Sequence, residues 1–179
     1  RTLDEINAVC NNPKAPTFEN TLEVLDESGK QLGIITSILF NLNSAETCSE
    51  IQEVTQKAAP LLTKLKNDIQ LNQVLFDRIK TIYNQKDTLI LSAEQQTLIE
   101  KEYKGFIRNG VLLSLEQKDK LRLIDTELAQ LSLTFGDHIL ADTNAFELHL
   151  KDKNQLKGLP ETSIIKAASL AENKGKEGW

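Results

Sequence analysis

The sequence contains few of the residues that form metal sites, disulfides or catalytic centres. Its 179 residues contain no methionine, one tryptophan, two histidines and two cysteines. Two cysteines, Cys10 and Cys48, are too few and too far apart to form a disulfide framework, so free thiols in a reducing compartment are the expected state. The net charge of −5, without any Arg/Lys cluster, argues against nucleic acid as a partner.

Long hydrophobic runs and a secretory signal are also missing. No uninterrupted apolar run approaches the length of a membrane span, and the first twenty residues lack a charged-then-apolar signal pattern. We therefore expect no membrane partner and a cytoplasmic location, with the periplasm as the alternative. With 40% hydrophobic residues, a chain of this length can still bury a core, and we expect a single helical domain over 1–179.

The dominant pattern in the sequence is helical. Its longest example follows Ser114, which forms a predicted capping box with Gln117. Apolar residues then recur at steps of three and four, on one face of a helix of about 25–30 residues; they are Leu121, Ile124, Leu128, Leu131 and Phe135. Such a face needs other helices to pack against. The sequence therefore predicts an all-α, multi-helix bundle with long amphipathic helices.

Two helices are predicted at the start of the chain. Arg1 to Asn12 indicates a short one, and Thr17 is the predicted N-cap of the next. The apolar face of this second helix continues to Leu42. Gly29 and Gly33 fall inside the pattern, and we interpret them as a close helix crossing or a local kink.

Further helix signals follow in the middle of the chain. Residues 47–50 and 92–95 read as capping boxes that open two helices. Pro60 should bend or split the first of these, because its ring removes a hydrogen bond. Gly110 is placed to end the second in a left-handed conformation. Between them, residues 71–84 predict a short helix with Val74, Leu75, Ile79 and Ile82 facing inward.

Near residues 145–150 the spacing of apolar residues changes from the helical period to strict alternation. Phe146, Leu148 and Leu150 alternate with polar residues, which predicts one short strand there. A lone strand needs a partner, and none is evident in the sequence. Together with the missing initial methionine and the apolar end at Trp179, this predicts that the chain is an excised piece of a longer one.

Known catalytic patterns are absent. A zinc-hydrolase helix needs His-Glu-x-x-His, since histidines four apart can share one metal, and this chain has no such pair. We interpret His138 as a core or helix-end histidine, and His149 as solvent-facing or paired with a neighbour. Cys10 and Cys48 lack a nearby histidine in sequence, which argues against a catalytic thiol. No catalytic, cofactor-binding or metal-ligating residue is assigned.

Several segments, taken in order, resemble one family. The most specific are residues 135–146 (FGDHILADTNAF) and 158–161 (GLPE), then 174–179 (KGKEGW), supported by residues 16–22 (PTFENTL), 75–79, 91–96 and 103–110. The series resembles the zinc metallopeptidase family of thimet oligopeptidase, oligopeptidase A and the peptidyl-dipeptidases (dipeptidyl carboxypeptidases), and most of all the peptidyl-dipeptidase branch.

The resemblance implies a function that the residues alone do not. It implies an N-terminal helical region forming one wall of a deep channel that admits short peptides. A later part of such a protein carries His-Glu-x-x-His and a further Glu that hold one zinc, and the Glu of the motif activates a water. Short peptides and the catalytic domain of the same chain would be the partners. This sequence stops before any zinc motif, so the piece itself is expected to hold no cofactor and to be inactive.

Two other interpretations stay open at this point. The first is a stand-alone helical interaction module that binds a partner helix in an apolar groove. The second is a degenerate family member that binds peptides without cutting them. A fragment of an enzyme should expose the surface that packs against the rest of the protein, and it could dimerise through that surface. A self-sufficient module should leave no large apolar patch uncovered.

Overall fold

The computed structural model describes residues 1–179 and contains helices but no strand. The α-helices are α1 (Thr2–Cys10), α2 (Val24–Glu27), α3 (Lys30–Ala45), α4 (Ser49–Gln70), α5 (Gln73–Gln85), α6 (Ala93–Arg108), α7 (Leu115–Ala145) and α8 (Glu161–Asn173). A π-helical segment, Phe18–Glu23, leads into α2, and 3-10 turns lie at Lys86–Thr88 and Lys153–Leu156. The predicted all-α fold is confirmed.

The chain divides into two compact units, Arg1–Thr134 and Phe135–Trp179. The division falls inside α7, so each unit contains part of that helix. The single domain over 1–179 stays a prediction.

The core of the first unit is built around α5 and α6. Side chains from α1 and the Phe18–Glu23 segment complete it; its members are Ile6, Val9, Phe18, Leu22, Leu75, Phe76, Ile79, Ile82, Ile99, Phe106 and Val111. Phe76 stacks on Tyr103 and Phe106, with ring centroids 5.6 and 6.2 Å apart. Three of the four α5 residues predicted to face inward are buried; Val74 is exposed, so that part of the prediction is wrong.

Most of the predicted helix starts are confirmed by reciprocal hydrogen bonds. Thr17 and Asn20, Ser92 and Gln95, and Ser114 and Gln117 each form a capping box. The prediction of a capping box at residues 47–50 is wrong. The Thr47 hydroxyl instead donates to Asn43 Oδ1 at 3.3 Å, and Cys48 is the N-cap without a side-chain bond.

The second predicted helix does not run unbroken to Leu42. It is interrupted at Ser28 and Gly29, where Gly29 has φ +72°. The Gly29 N–H donates to Glu5 Oε2 of α1 at 3.0 Å, which fixes the break against the neighbouring helix. Gly110, with φ +94°, follows the end of α6 as predicted.

The predictions for Pro60 and for the longest helix had different outcomes. Pro60 lies inside α4, which continues from Ser49 to Gln70, so the predicted split does not occur. α7 begins at Leu115 as predicted and is 31 residues long, slightly more than expected.

The predicted strand near 145–150 is wrong. Among the predicted strand residues, only Leu150 forms a reciprocal backbone pair: its N–H donates to the Trp179 carbonyl at 2.7 Å, and the Trp179 N–H donates back to the Leu150 carbonyl at 2.9 Å. One pair of this kind does not make a ladder, and the residues before Leu150 make no such pairs. The alternating sequence lacks the neighbouring strand that a ladder requires, which is why no strand forms there.

Candidate interaction surfaces

The apolar face of α7 is uncovered in the first unit. Ile124, Leu128 and Leu131, which the sequence predicts to be packed against other helices, are each more than half exposed. Phe135 and His138, which follow in the second unit, are also exposed. The interpretation of His138 as a core or helix-end residue is wrong, because it lies exposed inside the helix.

The beginning of α7, in contrast, is firmly attached to the end of α4. The buried Lys118 ammonium donates to the Leu71 carbonyl at 3.1 Å, where a cation is favoured by the C-terminal end of the α4 dipole. Arg122 Nη1 lies 2.7 Å from Asp68 Oδ1. Partial burial raises the pKa of Asp68, but hydrogen bonds from Lys64 and Arg122 outweigh it and hold that pKa below its usual value. The exposed face therefore belongs to a helix that is fixed in place.

α3 presents a second uncovered apolar surface. None of its 16 residues is buried, and Ile34, Ile35 and Ile38 are 62, 63 and 57% exposed. Leu42 extends the same surface by one turn. We call these four residues the α3 face.

The chain has a larger solvent-accessible surface than a folded protein of its mass. That surface is 12,548 Å², whereas a folded monomer of this mass exposes about 8,700 Å². Even two separate domains with the masses of the two units would together expose only about 10,200 Å². The remaining difference, about 2,300 Å², exceeds the roughly 1,600 Å² of a standard protein interface. The chain therefore leaves uncovered an area large enough for an interface with further protein.

The second unit contains a cavity of about 310 Å³. Its apolar wall includes Phe146, Leu148, Ala167, Leu170 and Trp179. The imidazole of His149 and the carboxylate of Glu147 also line the cavity.

The charged groups at this cavity already satisfy one another. The Glu147 carboxylate accepts hydrogen bonds from Lys174 and Lys176, the latter at 2.6 Å, and these bonds lower its pKa to about 2. An acid this strong carries no proton to donate at neutral pH. His149 Nε2 lies 2.7 Å from the Glu177 carbonyl, which confirms that His149 is exposed and paired with a neighbour. The cavity offers no acid–base pair.

Neither cysteine forms a reactive centre. Both thiols are free, as predicted. Burial raises the pKa of the half-buried Cys10, which makes its thiolate scarcer, and Cys48 is exposed. No group of three His, Cys, Asp or Glu side chains is arranged to hold a metal ion. That this chain contributes no catalytic, cofactor-binding or metal-ligating residue stays a prediction.

None of the helices combines the length and apolar character that crossing a bilayer would require.

Comparison with known proteins shows that the chain is similar to curated peptidases. No family model matches it, but curated peptidases match it over nearly its whole length. It is 36% identical to dipeptidyl carboxypeptidase of Salmonella typhimurium over 176 residues, which cover 98% of this chain and 26% of that protein. With dipeptidyl carboxypeptidase of Escherichia coli the identity is 35%, over 96% of the chain and 25% of the relative. Oligopeptidase A of Haemophilus influenzae is 28% identical over 91% of the chain and 24% of its own length.

The chain thus spans about a quarter of the length of the curated relatives it matches. The resemblance predicted from the sequence is confirmed: this chain is similar to one region of the peptidases that include dipeptidyl carboxypeptidase and oligopeptidase A. Identity is higher with the two dipeptidyl carboxypeptidases than with the oligopeptidase A, in agreement with the predicted branch.

Proposed function

We propose that this chain is the N-terminal helical region of a zinc-dependent metallo-oligopeptidase of the dipeptidyl carboxypeptidase type. The observation that carries the proposal is the match of 96–98% of the chain to two dipeptidyl carboxypeptidases, of which it spans about a quarter. In the full-length protein this region would form one wall of the channel that admits short peptides. The uncovered faces of α3 and α7 agree with a region that packs against more protein.

The proposed zinc would not be held by this chain. Its residues do not fit a zinc centre, because no three potential ligands come together and no His-Glu-x-x-His occurs. The metal ligands and the groups that act on the peptide bond would belong to a later part of the protein. This chain alone would therefore bind no zinc at a catalytic site and would be inactive.

The partners in this proposal are short peptide substrates and the catalytic domain of the same polypeptide. Nucleic acid is not among them, since the net charge is −5 and the sequence contains no Arg/Lys cluster. We further propose a cytoplasmic location, with the periplasm as the alternative. Expressed alone, the chain would dimerise through its uncovered apolar surface.

The test is an assay of the full-length gene product with an N-blocked tetrapeptide. We expect release of the C-terminal dipeptide, loss of this activity with a chelator, and recovery with zinc. The 179-residue chain, assayed at the same concentration, should release nothing. A zinc-loaded full-length protein that releases no dipeptide, or a reading frame without His-Glu-x-x-His downstream of Trp179, would refute the proposal.

A further inference from the structure

α3 has the composition of an internal helix but lies at the surface. Residues 31–45 contain no charged side chain, although a surface helix normally carries charges on its outer side. None of its residues is buried within this chain. The isoleucines of the α3 face are the most exposed of its large apolar side chains. The helix therefore has a surface suited to burial on the side that faces away from this chain.

The side of α3 opposite the α3 face is the one that packs within this chain. α3 contacts α4, and the half-buried residues Leu32, Thr36, Leu39 and Phe40 lie away from the α3 face. The Thr36 hydroxyl on that side donates to the Leu32 carbonyl at 2.9 Å. An apolar element could replace solvent over Ile34, Ile35 and Ile38, whose side chains contain no polar atom.

The chemistry of the face limits what can cover it. A surface without charge gives no attraction to nucleic acid or to a charged peptide. The matching surface is apolar, either in the same polypeptide or in a second copy. The chain spans about a quarter of its relatives' length, so about three quarters of such a protein lies outside the structure. An element of the same polypeptide is present at a high effective concentration, which favours it over a second copy.

We propose that α3 is an internal helix of the full-length protein, and that an apolar face of the polypeptide outside this chain covers Ile34, Ile35, Ile38 and Leu42. This rests on the proposed function, because it requires the longer protein. It assigns α3 to packing between regions rather than to the peptide-facing wall of the channel.

The test is thiol labelling of the full-length protein, in a background with its other cysteines replaced. Ile38→Cys and Val74→Cys are a matched pair, since the two positions are 57 and 54% exposed in this chain. Each maleimide labelling rate is divided by the rate of the same variant in guanidinium chloride. We expect Ile38→Cys to be labelled at least tenfold more slowly than Val74→Cys. Ile35→Cys is the second variant on the same face and should behave like Ile38→Cys.

Labelling of Ile38→Cys and Ile35→Cys in the native protein at rates close to their rates in guanidinium chloride would overturn the inference. So would protection of Ile38→Cys that disappears when dilution converts an oligomer to a monomer, because a second copy would then be the cover. The dipeptide-release assay on the same preparation reports on the proposed function separately. A protein that protects Ile38→Cys but releases no dipeptide would refute the enzymatic proposal and support the covered helix.

Discussion

At the scale of single residues, Arg78 connects α5 to the loop that precedes the Phe18–Glu23 segment. Its Nη1 donates to the Asn12 and Lys14 carbonyls at 3.0 and 3.3 Å. Its Nε donates to Thr21 Oγ1 at 3.3 Å, and its Nη2 to Asn20 Oδ1 at 3.0 Å. The side chain is buried without a carboxylate partner, so four neutral oxygens replace the water that would solvate the guanidinium.

We expect Arg78→Ala to lower the free energy of unfolding by about 2–4 kcal/mol, because the buried acceptors lose their donors. Lys80→Ala is the control: Lys80 is exposed two residues along the same helix, and its loss should change stability by no more than about 0.5 kcal/mol. Urea unfolding followed by circular dichroism measures both. A loss below about 1 kcal/mol for Arg78→Ala would contradict the role given to these bonds.

Residue-level prediction from sequence succeeded where the interaction is local. The N-cap at Thr17 and the capping boxes at Ser92 and Ser114 each depend on residues three apart, so both partners lie close together in the sequence. The bonds of Arg78 join residues 57 to 66 positions apart. Their acceptors are mostly backbone carbonyls and short side chains that any sequence could supply. Nothing in the local pattern distinguishes this arginine from an exposed one.

At the scale of elements, Gly29 decides where one helix ends and the next begins. Helical periodicity continues through it, which is why the sequence predicts a single helix. The structure interrupts that helix because Gly29 adopts φ +72° and donates its N–H to Glu5 of another helix. A hydrogen bond to a residue 24 positions away does not appear in a periodic pattern.

Gly29 and Gly33 should therefore respond oppositely to alanine. At Gly29 the left-handed conformation costs a residue with a Cβ about 1–2 kcal/mol, and that Cβ would lie 3.1 Å from Thr2 Cγ2. Gly33 is helical and has open space around its Cα, so Gly33→Ala should stabilise the chain by about 0.5–1 kcal/mol. Thermal and urea unfolding of the two variants measure whether each change raises or lowers the free energy of unfolding. A Gly29→Ala variant as stable as the parent chain would show that the left-handed turn is not required at Gly29.

At the scale of the whole molecule, the uncovered surface explains the main difference between prediction and structure. The steps of three and four along α7 correctly gather its apolar residues on one face. They do not reveal what covers that face, and within this chain nothing covers Ile124, Leu128 or Leu131. Periodicity identifies a surface suited to burial, whereas the identity of its cover depends on residues elsewhere.

The same reasoning predicts how the chain behaves alone. Replacing Ile124, Leu128 and Leu131 together by Gln should reduce self-association in sedimentation velocity. The cost in unfolding free energy should be small, about 1 kcal/mol or less, because these side chains are already more than half exposed. Leu75→Ala is the contrasting control, since Leu75 is fully buried and its truncation should cost about 2–5 kcal/mol. A triple variant as unstable as Leu75→Ala would mean that the α7 face is covered after all.

The neutral surroundings of Arg78 also have a consequence for acid resistance. Glu100 and Glu147 each lie between two lysines that lower their pKa to about 2. Their contribution to stability is complete above about pH 4.5 and fades as the pH falls towards 2, because protonation then neutralises the carboxylates. The oxygens around Arg78 accept no proton in that range, and a guanidinium remains charged throughout it. At about pH 2 the ion pairs of Glu100 and Glu147 should thus weaken. The hydrogen bonds from Arg78 to the residues before and within the Phe18–Glu23 segment should persist.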